Sequence, residues 1–260
     1  MNDASRRSAW SRMIVILCVL IVLQVNAPHV SAADHWDTAL EHINLVHDDV
    51  AALKVVVLSE TQHIKDQRTK NNDALKWVNA KIKVIDLKWI NSMQIEVDQT
   101  LRKHSPLLEQ FTALSKQATA AKQNKDKKLA DLLDLKRNKI LTSVLAARTD
   151  IKSKKEALSA ARRQRASKVK LVKDVLAPVQ KFKKQITEEN KTVAAARHIY
   201  SASEKRYKTS VKQGNAVTAA EDITLMYDQM QIIHTSQQKV YDWEKQISQV
   251  IMMAESKIPK

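Results

Sequence analysis

The stretch Ile140–Ile186, "ILTSVLAARTDIKSKKEALSAARRQRASKVKLVKDVLAPVQKFKKQI", decides the fold. Apolar side chains recur in it every three or four residues: Ile140, Val144, Ala147, Ile151, Leu158, Ala161, Val172, Val175, Val179, Phe182 and Ile186. The register crosses Pro178 and runs on to Val193, Tyr200 and Tyr207. Strands alternate every two residues, so this spacing belongs to helix, and a period near about 3.5 kept for so long marks a coiled coil or long bundle.

Two further stripes share the spacing. One opens the chain past the leader, at Trp36, Ala39, Ile43, Val46, Val50, Leu53, Val57 and Ile64. The other closes it, at Ile223, Met226, Met230, Ile233, Val240, Ile247 and Ile251. Three such stripes must bury one another. The expectation is an all-α fold: an elongated antiparallel helical bundle or coiled-coil rod, with helices up to about 60 residues or about 90 Å long.

Composition agrees. One Gly and four Pro in 260 residues leave a sheet almost no turn residues, against ordinary usage of roughly 7% and 5%. "LKVVVL" (residues 53–58) and "KIKVIDLKWI" (81–90) are rich in β-branched residues, yet without Gly or Pro nearby they read as helices buried on more than one side. Helix ends are expected at Asn72 or Asp73, at Ser105 with Pro106 in a first turn, at Gly214, and at a Thr218/Glu221 capping box. Pro178 should kink or break its helix.

Residues 1–32 read as a secretory signal peptide, and residues 33–260 as a single elongated α-helical coiled-coil bundle. Arg6, Arg7 and Arg12 precede the apolar run Met13–Val25, and small residues follow to Ala32. That run is short of the roughly 20 residues a spanning helix needs, so cleavage is expected over an uncleaved N-terminal anchor. The only cysteine, Cys18, lies in this leader, which leaves the rest without thiols or disulfides. The expected location is secreted or at the cell surface.

Beyond residue 32 the chain carries 41 basic and 27 acidic side chains, net +14. Most of this excess falls in residues 152–184, with 12 basic residues against Glu156 and Asp174. On a wheel at about 100° per residue, Lys152, Lys155, Arg162, Arg163, Lys170 and Lys173 share one outward arc that would span about 30 Å of helix. Such a face is either a solvated surface that keeps the protein soluble or a polyanion-binding stripe for an anionic cell-wall or surface polymer or anionic lipid headgroups. Lys154, Arg165 and Lys168 fall on the apolar seam instead, which predicts a loosely packed tip, or a turn at 165–167.

Other chemistries find little support. No aromatic residue lies between Phe111 and Phe182 to stack on bases, so nucleic acid is a poor fit. Glu60 and His63 make a single Glu-x-x-His pair where a di-iron bundle requires two and two further Glu. His35, His42 and His47, set among acidic residues, lack the four-residue spacing of helical zinc ligands. No metal, no cofactor and no small-molecule substrate are expected. With no Gly-rich phosphate loop, nucleophile elbow or thiol past the leader, neither is an enzyme.

Past Val25 the longest apolar runs are about four residues, far from a spanning segment. Thr224–Ile247, with Met226, Met230, Tyr241 and Trp243, suits core packing, or lipid or partner binding. The reading is an exported non-enzymatic helical rod that binds or scaffolds by docking on anionic surface polymers. The alternative is a membrane-active helical protein, such as a toxin component or lipid-surface binder. A protein partner stays open.

Overall fold

The computed structural model describes residues 32–259. The expected leader and Cys18 lie outside the described residues, Ala32 excepted. All five elements among the described residues are helices: α1 (Ala32–Val84), α2 (Leu87–Gln123), α3 (Lys127–Leu176), α4 (Pro178–Lys212) and α5 (Ala216–Ser256). No strand occurs among the described residues. At about 1.5 Å per residue, the 53 residues of α1 extend about 80 Å.

All three apolar seams are real. Every seam residue from Ile140 to Tyr207 and from Ile223 to Ile251 is buried or half-buried, and in the opening stripe only Trp36 is exposed. Residues 53–58 are helical as expected, but they are not buried on several sides: Val55, Val56 and Leu58 face solvent around a buried Val57, and the second stretch, 81–90, is helical only on either side of a break at Ile85–Asp86. A helix packed along one stripe leaves its other faces wet, whatever residues stand there.

Four interruptions separate the helices, and they differ in kind. At Gln213–Asn215 the chain reverses through Gly214 at φ +70°, as expected for the only glycine. The cap of α5 is Asn215, whose Oδ1 accepts the Thr218 N–H at 3.1 Å, so Thr218 is already inside the helix. The second reversal, at Asn124–Asp126, puts Lys125 at φ 61° and is capped by Asp126, which accepts the Leu129 N–H at 3.0 Å. At Pro178 one ladder bond is lost, but Ala177 keeps helical angles (φ −53°, ψ −39°) and the seam carries on. The fourth, Ile85–Asp86, has no glycine or proline; Asp86 itself takes φ 52°. The remaining expected ends are absent. α1 passes unbroken through Asn72 and Asp73, and Pro106 lies within α2.

The described helices form two compact units. The first holds the described residues up to Val57 with Ala194–His234. Val50, Ile223 and Met226 form its core, enclosed by Ile43, Val46, Tyr200, Tyr207 and Tyr227. The Trp36 indole donates to the Gly214 carbonyl at 3.3 Å, and Arg206 pairs with the buried Asp222 at 2.8 Å.

The second unit holds Leu58–Val193 with Thr235–Lys260. In one part α5 joins α1 and the α3–α4 helices around Val78, Val172, Val179, Val240, Ile247 and Ile251. In the other, α2 and α3 face each other alone in two clusters. One is Ile90, Val97, Leu158 and Ala161; the other is Ala118, Ala121, Ala130 and Leu133. α1 and α2 follow the same sense along α3. Arg165 reaches the carbonyls of Lys83 and Ile85, Arg162 reaches Gln94, and Lys154 reaches Glu96. Ile85–Asp86 is therefore an interruption in one long antiparallel track, not a hairpin.

Candidate functional site

The basic segment up to Lys173 belongs to α3, which is unbroken from Lys127 to Leu176, and Lys181, Lys183 and Lys184 lie on α4. The expected turn at 165–167 is absent. Nor is the segment loose, and the reason lies on the neighbouring track. The left-handed residue Asp86 interrupts the α1–α2 ladder and leaves the Lys83 and Ile85 carbonyls short of helical donors. Arg165 supplies them: Nε donates to Ile85 O at 2.8 Å and Nη2 to Lys83 O at 2.9 Å. Lys168 Nζ donates to Asp86 Oδ2 at 2.7 Å, and Lys154 Nζ to Glu96 Oε2 at 3.0 Å. Two of the charges that break the seam, Arg165 and Lys168, are a clamp on the break opposite them, and Lys154 ties α3 to α2 farther along.

The six stripe residues, Lys152, Lys155, Arg162, Arg163, Lys170 and Lys173, are all exposed. Three have internal partners. Lys152 lies 3.9 Å from Glu156, Lys170 lies 3.8 Å from Asp174, and Arg162 Nη2 donates to Gln94 Oε1 at 2.8 Å. Surface pairs at such lengths are worth well under about 1 kcal/mol and give way to a competing anion. Lys155, Arg163 and Lys173 pair with no carboxylate among the described residues. Beside the first two positions a shallow groove runs between α2 and α3, floored by Leu101, Leu108 and Ile151.

The other candidates fare differently. His35 and His42 border one open pocket of the first unit, where His42 Nε2 meets Thr224 Oγ1 at 2.8 Å. Glu60 and His63 border another in the second unit, with Tyr241, Asp242 and Lys245. Among the described residues no three His, Cys, Asp or Glu side chains gather closely enough to hold a metal. In the closing helix Met226 and Met230 are buried, while Tyr241 and Trp243 pack half-buried against the core of the second unit. No described helix is long and apolar enough to cross a membrane.

Two features escaped the sequence reading. A buried polar layer crosses the second unit. Glu244 accepts Arg68 Nε at 2.7 Å and Asn71 Nδ2 at 2.8 Å, and Gln237 Nε2 donates to Thr61 Oγ1 at 2.6 Å. Its signal was available: Asn71 stands one heptad from both Ile64 and Val78, and Glu244 stands between Val240 and Ile247. The second is a row of exposed large apolar side chains beside the break, Trp77, Val84 and Trp89. The chain matches no protein-family model, no curated protein and no solved structure.

Proposed function

We propose that this is an exported, non-enzymatic helical protein of the cell envelope or the extracellular space, and that it binds or scaffolds by docking on an anionic surface polymer. The observation that carries the reading is the α3 stripe: six exposed cations on one face of an unbroken helix, four of them without an acidic partner among the described residues. Cations at this spacing meet phosphates or uronates along a polymer without demanding a sequence of units, and they release counterions on binding. No pocket, hydrophobic contact or exact register is needed.

The test is pelleting of the chain from Ala33 onward with purified cell wall. Binding at low salt that falls by at least about ten-fold at high salt is expected. Glu at Arg162, Arg163 and Lys170 should abolish it. Unchanged binding in that triple variant, with the helical signal intact, sinks the proposal. Glu at Arg165 is the wrong control, since that residue clamps the helix break.

A further inference from the structure

Around the Ile85–Asp86 break one three-residue pattern occurs three times: Lys76-Trp77-Val78, Lys83-Val84-Ile85 and Lys88-Trp89-Ile90. In each, the last residue is buried in the seam and the middle one is exposed: Trp77 at 45%, Val84 at 57%, Trp89 at 47%. The lysines are exposed too. Because α1 and α2 follow the same sense along α3, a residue just before a seam position projects to the same side each time. The three middle residues therefore form one row, with Trp77 and Val84 about 11 Å apart at about 1.5 Å per residue and Trp89 beyond the break, edged by a second row of lysines.

We infer that this flank is a docking surface for an anionic lipid interface, with the indoles and Val84 at the headgroup–acyl boundary and the lysine row on the phosphates. Three observations select that occupant. Large apolar groups in a row beside cations are the arrangement of helices that lie in a membrane surface. Tryptophan is the side chain that favours this boundary, one end apolar and one end wet. Lys81 Nζ already sits 5.3 Å over the Trp77 ring, on the other side of the apolar row, so cations border the row on both edges. Only Lys76 has a carboxylate nearby, Asp73 at a loose 3.9 Å, and neither Lys83 nor Lys88 has one among the described residues. A second copy of the chain would bring the same lysine row and no matching acidic one.

The flank does not coincide with the polymer stripe. Gln94, which meets Arg162 of the stripe, stands four residues after Ile90, on the opposite side of the seam from Trp89. Glu96 stands just before the buried Val97, on the Trp89 side, and meets Lys154, which is not in the stripe. The inference therefore goes beyond polymer docking and can fail separately from it.

The test floats the chain from Ala33 onward with vesicles of phosphatidylglycerol and phosphatidylcholine. Starting at Ala33 keeps every residue of the described cores. Expected are flotation, a blue-shifted tryptophan emission, and quenching by lipids brominated on the acyl chain. The double variant Trp77→Ser/Trp89→Ser should lose flotation by about ten-fold or more, since each indole adds a sizeable share of interfacial affinity. The Glu substitutions at Arg162 and Arg163 should change flotation by less than about two-fold. Trp36 and Trp243 also emit, so quenching is read with both replaced by Phe, where only Trp77 and Trp89 report; it then decides the matter even where the double variant misfolds. Absence of flotation and quenching overturns the inference. So does equal flotation by a well-folded double variant, or a dimer that the double variant converts to monomer, which would make the flank a self-interface.

Discussion

Within the second unit, one seam is packed in two ways. Where α5 joins, Val78, Val172, Val179, Val240, Ile247 and Ile251 are each about 2% exposed or less. Where α2 and α3 meet alone, the residues buried most deeply are mainly small, as at Ala118, Ala121 and Ala130, while Leu101, Leu108 and Ile151 stay half-buried along an open groove. The apolar period is the same in both parts. Two helices can enclose only the positions on the line between them, and a third is needed to cover large side chains on either side. The number of partners sets the burial.

The largest effect that sharpens this comparison is a matched pair of truncations. Ile247→Ala should cost about 4 kcal/mol and Leu133→Ala about 2 kcal/mol, from the two ends of the range for buried aliphatic residues. Urea unfolding followed by circular dichroism measures both, and equal costs would erase the distinction between the two parts. Next comes the buried polar layer. Glu244→Ala strands the buried Asn71 amide and should cost about 2 kcal/mol, because a buried donor left without its acceptor keeps its desolvation penalty, while the part-exposed Arg68 can turn to water.

A smaller change tests the clamp. Arg165→Ala leaves two half-satisfied carbonyls at the break and should cost about 1.5 kcal/mol. Hydrogen exchange should then quicken around residues 83–90 and leave the cluster at Ala118–Leu133 alone. Asp126→Ala removes the cap of α3 and should cost about 1 kcal/mol, confined to the two-helix part.

The mildest is a pH effect. The hydrogen bond from Lys122 holds the Asp134 carboxyl below its ordinary value, against some burial, with Arg137 assisting. A depressed carboxylate pKa stabilises the fold above the unfolded value of 3.8 and is lost as pH falls through the folded one. Acid should therefore loosen the α2–α3 end slightly, and Asp134→Asn should flatten that slope in an exchange experiment.

How much of this was legible beforehand varies with the kind of signal. The helices and the side of each that packs could be read, because a stripe at three and four residues is a direct consequence of helical geometry. Gly214 could be read as a left-handed terminus, since its lack of a Cβ makes that conformation cheap. The breaks at Asp86 and Lys125 could not: both take positive φ without glycine, and their strain is met by contacts made elsewhere, at Asp86 by Arg165 and Lys168. The Asn72 and Ser105 positions looked like helix starts by local chemistry, but packing along an uninterrupted seam outweighs a cap worth about 1 kcal/mol; near Thr218 a helix does start, with Asn215 as its cap. The six cations of the stripe were legible because charge and wheel position are both sequence properties.

From the sequence alone came the all-α class, three apolar seams, the only glycine turn and the outward stripe of α3. These follow from period and composition, which act along one helix at a time. The tertiary structure alone decided that Arg165 and Lys168 clamp a neighbour, that Asn71 and Glu244 share a buried layer, and that Trp77, Val84 and Trp89 line one exposed flank. Each depends on which helix lies opposite and in which direction it runs, and no single stripe of residues encodes its own partner.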